Sequence, residues 1–367
     1  MSTFLGLLGH RLAILPPALA ANCTSLALGL SSSSRDQKAA AAAVNPHHTH
    51  NRGRPSSILG TMLFAGTFGL AAMSLFQLLS MRALLSLLFG GPEPAEAYVR
   101  EFLRSAGGRA HLDATLSAPE AAARAAMARD WRYCGLFCPF FGVVAAGLPE
   151  EVLKYLPAAT VRWWRARKAA RTAALKEEKK TDDGKEKEEE GKTEVVMSPL
   201  EFVNYTVAAG IGFAIFENLG VIWAGVEGGS SVPELVWLLA ERTFSALPGH
   251  VLCAALSGIA DSSIRRRRRR AAAAKAGKNS GVGGLLGGGV VNMLSAILPS
   301  VLYHGVFDSA LLGVSALDGH PGWVRPASPW VLAGTYGLVL AMQGALFLNV
   351  RAAWREEARA LVEEKVE

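Results

Sequence analysis

The chain is poor in charge. Only 19% of its 367 residues are Asp, Glu, Lys or Arg, against about 25% in ordinary soluble domains, and those charges are gathered in blocks. Cysteine is scarce too. Cys23, Cys134, Cys138 and Cys253 show neither metal-knuckle nor disulfide spacing. Three of them fall in or beside apolar stretches, where a thiol packs as a small hydrophobe. No internal repeat is visible, and no paired halves of broken helices mark the inverted repeats of a transporter. A His-Glu-x-x-His motif is also missing.

What the chain has instead is apolar length. Half of its residues are hydrophobic, and several uncharged runs exceed the roughly 20 residues of helix that cross a bilayer. The expected spans are 58–81, 133–160, 202–226, 243–264, 285–312 and 329–350. A seventh, 3–30, is weakened by His10, Arg11 and the Pro16-Pro17 pair, and its acid-poor, Ser-rich character also fits a targeting or cleavable segment. The expected fold is therefore all-α, a polytopic transmembrane bundle of six or seven helices. Residues 1–57 form an N-terminal extension and 58–350 the helical domain, interrupted by a disordered Lys/Glu loop at 171–197 and a basic loop at 261–280. Residues 351–367 form a polar tail.

The net charge of +7 and the six arginines Arg265 to Arg270 read as topology and not as nucleic-acid binding. Residues 162–197 carry eleven Lys or Arg, 261–280 carry eight and the tail four, whereas 224–241 carry none and 313–328 only Arg325. Basic connections stay in the cytoplasm, so the expected orientation puts both basic loops and the C-terminus there. The sequence does not identify the organelle. Gly281 to Gly289 reads as a hinge or a close-packing surface.

Four spans carry groups that hydrocarbon excludes, at a cost of about 2.5–3.5 kcal/mol per charge even on the mildest insertion scale. In Pro149-Glu150-Glu151-Val152-Leu153-Lys154, Glu150 and Lys154 stand four residues apart and share a helix face. Glu151 points about 100° away from Glu150. Two adjacent carboxylates in a low-dielectric setting do not both ionise cheaply, which is how a general acid or base is poised. Glu217, followed by Asn218, has no charged neighbour in its own span and needs a partner from another helix or a proton. Arg242 precedes Pro248-Gly249-His250, where the proline is expected to break or kink the helix beside the imidazole. His304 and Asp308 repeat the four-residue spacing, which lets the carboxylate orient the ring.

Glu-Glu-x-x-Lys at 150–154, Phe-x-x-x-Glu-Asn at 213–218, Arg-x7-His at 242–250 and His-x-x-x-Asp at 304–308 follow one another in an order that resembles the PrsW-family intramembrane proteases, relatives of the CAAX prenyl proteases and of Aph-1. The resemblance covers 133–312. It implies helices around a wet cavity in which a peptide bond of a membrane protein substrate is hydrolysed. Glu150 would be the base, with Glu151 supporting it or sharing its proton. Glu217 stands where the CAAX enzymes carry a histidine and would position water or ligate a metal. His250 and His304 would orient water or donate to the oxyanion. Lys154, Asn218, Arg242 and Asp308 would support them, Asp308 by holding His304. Without His-Glu-x-x-His, the expectation is a metal-free glutamate mechanism with no cofactor. Zinc held by Glu150, Glu217, His250 and His304 is the alternative. The expected partners are membrane-protein substrates and the lipid bilayer, not nucleic acid. The competing readings are a proton-coupled transporter, since buried acid and histidine chains also carry protons, and a non-catalytic scaffold that keeps the protease fold.

Overall fold

A computed structural model describes residues 55–105, 116–183, 197–276 and 289–366. The expected segment 3–30, the glycine-rich 281–288 and most of the Lys/Glu tract lie outside the described residues. By contacts, Arg52–Glu357 forms the body that carries everything below. Among the described residues there is no strand.

Among the described residues, six helices are long and apolar enough to cross a membrane, which agrees with the six spans read from the sequence. Helix α1 is Ser56–Phe89. It ends at Gly90, whose φ of 77° is the left-handed conformation that glycine adopts without strain. Two shorter helices, α2 (Pro92–Ser105) and α3 (Ala118–Arg129), fill the connection that follows. Helix α3 opens on a capping box between Ser117 and Glu120. The spanning part of α4 is Arg132–Thr172, and its final α-helical stretch is Leu148–Asp183. The remaining helices are α5 (Pro199–Glu227), α6 (Val232–Ala276), α7 (Gly289–Leu317) and α8 (Pro329–Val366).

Two helices run on where loops were expected. Helix α4 continues to Asp183 and α6 passes through all six arginines to Ala276. Both extensions are built from Ala, Leu, Lys, Glu and Arg, the strongest helix formers, so the helix does not stop where the apolar stretch stops. Helix α6 is also unbroken at Pro248. Ser245, one turn earlier, has its carbonyl taken by the side-chain amide of Gln343 from α8.

The body is inside-out relative to a soluble protein. Leu87, Phe244, Leu340 and Trp330 are exposed, while Glu150, Glu151, Lys154, His250, His304 and Asp308 are buried. That is the arrangement expected when the solvent is hydrocarbon and polar groups satisfy one another inside.

Two features bring the polar groups together. Where α4 meets α7, Gly142, Gly147 and Gly305 bring the backbones into contact. A Cβ at Gly147 would stand 3.0 Å from the Gly305 nitrogen, and one at Gly305 would stand 2.5 Å from the Val143 Cα. Small residues at such interfaces are how helices pack without a hydrophobic driving force. Where α5 meets α6, a Cβ at Gly210 would lie 3.0 Å from the His250 carbonyl. Between α6 and α7, Ser300 donates to the Cys253 carbonyl at 2.7 Å and Ser257 donates to Ser300 at 2.8 Å.

At the opposite end from the α1–α2 turn, ion pairs tie the helices. Arg162 of α4 and Arg265 of α6 both engage Asp261, which also accepts from Tyr155 at 2.5 Å. Arg165 pairs with Glu201 at 2.5 Å. Arg266 of α6 pairs with Glu357 of α8 at 2.7 Å.

Candidate active site

Helix α4 delivers two of the site's carboxylates at a widened turn. It passes through π-helical turns at Arg132–Phe137 and Phe141–Gly147 before the α-helix resumes at Leu148. Pro149 has no N–H to give to the turn before it, and an extra residue in that turn absorbs the missing hydrogen bond. Glu150 and Glu151 follow at once, both almost fully buried.

Both carboxylates converge on Lys154. Its Nζ lies 2.8 Å from Glu151 Oε1 and 3.5 Å from Glu150 Oε2, so the nearer partner is Glu151, not the Glu150 expected from helix spacing alone. The same ammonium stands 2.7 Å from His250 Nδ1 and 4.8 Å from the centre of the Phe213 ring. The four groups therefore share one cation, held on α4 and supported from α5 and α6.

The partners fix the state of each imidazole. An ammonium only donates, so His250 Nδ1 accepts from Lys154 and Nε2 is left to donate to Glu217 Oε2 at 2.8 Å. His304 Nδ1 donates to Glu151 Oε1 at 2.9 Å. The remaining nitrogen of His304, Nε2, faces Glu150 Oε2 at 3.3 Å and Asp308 Oδ2 at 3.5 Å. Glu151 is thus the carboxylate that orients His304, at a shorter distance than the Asp308 assigned that task from sequence. Glu217 finds the partner from another helix that its own span lacked: Arg242 at 2.8 Å. Arg242 also donates to Asn218 at 3.0 Å.

A cavity of about 1080 Å³ opens over this cluster, lined among others by Gln77, Glu150, Glu217, Arg242, His250, His304 and Asp308. Glu151 and Lys154 are not in its wall. Of the five residues expected to be catalytic, four therefore face the cavity and Glu151 stands behind them. Gln77 escaped the sequence reading. It sits on α1 and donates to Glu150 Oε1 at 3.3 Å. The only hint was a lone amide in an otherwise uncharged span.

The residues fit a divalent metal ion. One donor atom each from Glu150, His250 and His304 lie within 4.8 Å of one another, and one glutamate with two histidines is a donor set that zinc hydrolases use. Glu150 Oε2 is buried with no hydrogen-bond partner. One nitrogen of each imidazole is held by a carboxylate, Glu151 or Glu217, the outer-shell pattern that orients metal-ligating histidines. Charge agrees. Four inward-facing carboxylates (Glu150, Glu151, Glu217, Asp308) meet two cations (Lys154, Arg242), so full ionisation leaves two negative charges for a divalent ion or two protons to match. The fit requires Lys154 to release His250 Nδ1. Glu217, the fourth ligand of the zinc alternative read from the sequence, has its Oε2 held by Arg242 and by His250 Nε2. The expectation of a metal-free site gains no support from this arrangement.

The profile of the PrsW family intramembrane metalloproteases matches residues 133–324, just over half of the chain. No curated protein and no solved structure matches it. The chain belongs to the PrsW family, and it is an integral, multi-pass membrane protein.

Proposed function

We propose that this member of the PrsW family hydrolyses a peptide bond of a membrane-inserted protein in the cavity walled by Glu150, Glu217, His250 and His304. The observation that carries the reading is Glu150 Oε2, buried without a hydrogen bond 3.3 Å from His304 Nε2 and 3.5 Å from the Lys154 ammonium, on a residue of the cavity wall. A buried carboxylate oxygen without a hydrogen bond is costly, and such cost is retained where the atom has work to do.

Arg242 neutralises Glu217, and Lys154 lies closer to Glu151 than to Glu150. Glu150 and Asp308 are the two carboxylates left to take up and return a proton during hydrolysis. Gln77 fixes one oxygen of Glu150 and leaves the other beside His304 Nε2. Glu151 fixes His304 with Nε2 towards the reacting atoms. A metal ion held by Glu150, His250 and His304 would polarise the scissile carbonyl and acidify its water. Asp308 would then keep the proton-accepting role. In its absence Glu150 does that work, as the resemblance implied.

The test is reconstitution of purified protein in liposomes with a set of single-span substrates, comparing wild type, Glu150→Gln and Asp308→Asn. Turnover should fall by at least 10²-fold in Glu150→Gln, the lower end of what a positioned acid or base contributes. Zinc content separates the two routes. About one equivalent in wild type, lost in His250→Ala and His304→Ala, assigns Glu150 as a ligand. Far less than one equivalent, with cleavage surviving chelation, assigns it as the base. A Glu150→Gln protein that cleaves at the wild-type rate would refute the reading.

A further inference from the structure

Hydrolysis of a peptide bond puts negative charge on the carbonyl oxygen, and the two imidazoles expected to meet it are committed elsewhere. His250 accepts from Lys154 through Nδ1 and donates to Glu217 through Nε2. His304 donates to Glu151 through Nδ1, and its Nε2 faces the carboxylates of Glu150 and Asp308. Arg242 is held by Glu217 and Asn218. A donor for the oxyanion has to come from another side chain of the cavity wall.

Gln77 of α1 meets that need. Its amide carries two N–H hydrogens, and one goes to Glu150 Oε1 at 3.3 Å. The second remains to be used. Leu70, Met73, Ser74, Gln77, Leu78 and Met81 line the cavity at helical spacing, so this face of α1 turns inward. The helix is braced on both sides of Gln77. Towards its start, a Cβ at Gly66 would stand 2.8 Å from the Gly212 carbonyl of α5. Towards its end, Met81 and Leu85 are buried with Phe137 and Phe141 of α4. A donor fixed in this way needs little reorganisation as the reaction proceeds. The other amide of the wall, Gln343, reaches the Ser245 carbonyl instead. Helix α1 lies outside the residues 133–324 that the family profile matches, so the family motifs do not include this residue.

We propose that Gln77 is a catalytic residue whose second N–H donates to the oxyanion formed on the scissile carbonyl. The proposal rests on the peptidase reading of the same cavity. A water oxygen bonds to the carbonyl carbon, its proton passes to a carboxylate of the wall, and the C=O π pair moves onto the oxygen, where Gln77 meets it. When that pair returns, the C–N bond breaks and the amine leaves with the proton. Both hydrogen bonds of the amide can exist at once. The two N–H bonds of a primary amide open by about 120°, so their acceptors stand about 5 Å apart at ordinary hydrogen-bond lengths. A water held at Glu150 at about 2.8 Å, with the oxyanion two covalent bonds beyond that water's oxygen, spans the same distance.

The test measures binding as well as turnover, with the full-length protein in liposomes. The probe is a phosphinic analogue of a single-span substrate, in which tetrahedral phosphorus and its oxygens replace the scissile carbonyl. The variants are Gln77→Met, near in size but without an N–H, and Gln77→His, which keeps one. Gln77→Met should lower kcat by about 10²–10³-fold, what one oxyanion donor contributes, with KM little changed. It should weaken the analogue by a similar factor, and Gln77→His should keep part of both. The decisive comparison is made in a Glu150→Gln background, where no carboxylate is left at that position for Gln77 to hold. There Gln77→Met should still weaken the analogue. A loss seen only with Glu150 intact would mean that Gln77 acts solely through that carboxylate, and overturns the proposal. So does equal analogue affinity in Gln77→Met and wild type. An equal loss in Gln77→Met and Gln77→His overturns it too, since packing and not the N–H would then be the cause. The peptidase reading fails on a different result, wild-type turnover in Glu150→Gln.

Discussion

Lys154 is the residue whose importance grew most between sequence and structure. Helix spacing made it a partner for Glu150; the fold makes it the shared cation of Glu150, Glu151 and His250. Replacing it by methionine would leave Glu151 buried with the His304 imidazole as its close partner. Breaking a buried ion pair from one side costs about 3–5 kcal/mol, so Lys154→Met should unfold at markedly lower denaturant. Adding Glu151→Gln removes the stranded charge, and most of that stability should return. Activity should not, because His304 loses the carboxylate that orients it. Equal unfolding midpoints for Lys154→Met and wild type would show that the ammonium contributes nothing to stability at this site.

At the scale of elements, the seam between α4 and α7 decides whether the site exists. Gly305 stands one residue after His304, and a side chain there would overlap Val143. Overpacking of this kind costs roughly 1–3 kcal/mol, and relief would come by moving α7 away from α4. Gly305→Val should therefore lower stability and lose cleavage by widening the gap between His304 and Glu151. Gly313→Val, on the same helix with nothing within 4 Å of the added Cβ, is the control and should change neither. Comparable effects at both positions would mean that helix propensity, not close approach, explains the loss. The seam was not legible in the sequence: Gly142, Gly147 and Gly305 are spread over two spans, and no periodicity within either says that they meet.

For the whole molecule, orientation and depth go together. Arg162, beside the exposed Trp163, is ion-paired to Asp261; Glu150 lies 13 residues before Trp163 and His250 lies 11 before Asp261, about 17–20 Å of helix. In a hydrocarbon core of about 30 Å, the site then sits just past the middle, in the half farther from the basic face. If that face is cytosolic, as the lysine and arginine count implies, a protease added from the cytosolic side should remove a tag placed after Glu367. It should spare one inserted between Gly229 and Ser230. Peptide bonds cut in a single-span substrate should map by mass spectrometry to the half nearer the non-cytosolic side. A shielded C-terminal tag would invert the orientation, and cuts clustered beside the cytosolic end would move the site.

The sequence alone determined what composition and covalent spacing can determine. Uncharged runs of bilayer length can only be spans, blocks of lysine and arginine sort their connections, and groups too costly for lipid must turn inward. Glu150, Glu217, His250 and His304 were readable as one site for that reason. Their partners were not. Glu151 rather than Asp308 holds His304, Gln77 holds Glu150, and His250 holds Glu217, and these links join residues from 33 to 153 positions apart. Such pairings depend on how closely helices approach and how they are rotated. Small residues on separate spans and widened turns before Pro149 set both, and only the packed bundle brings those two effects together.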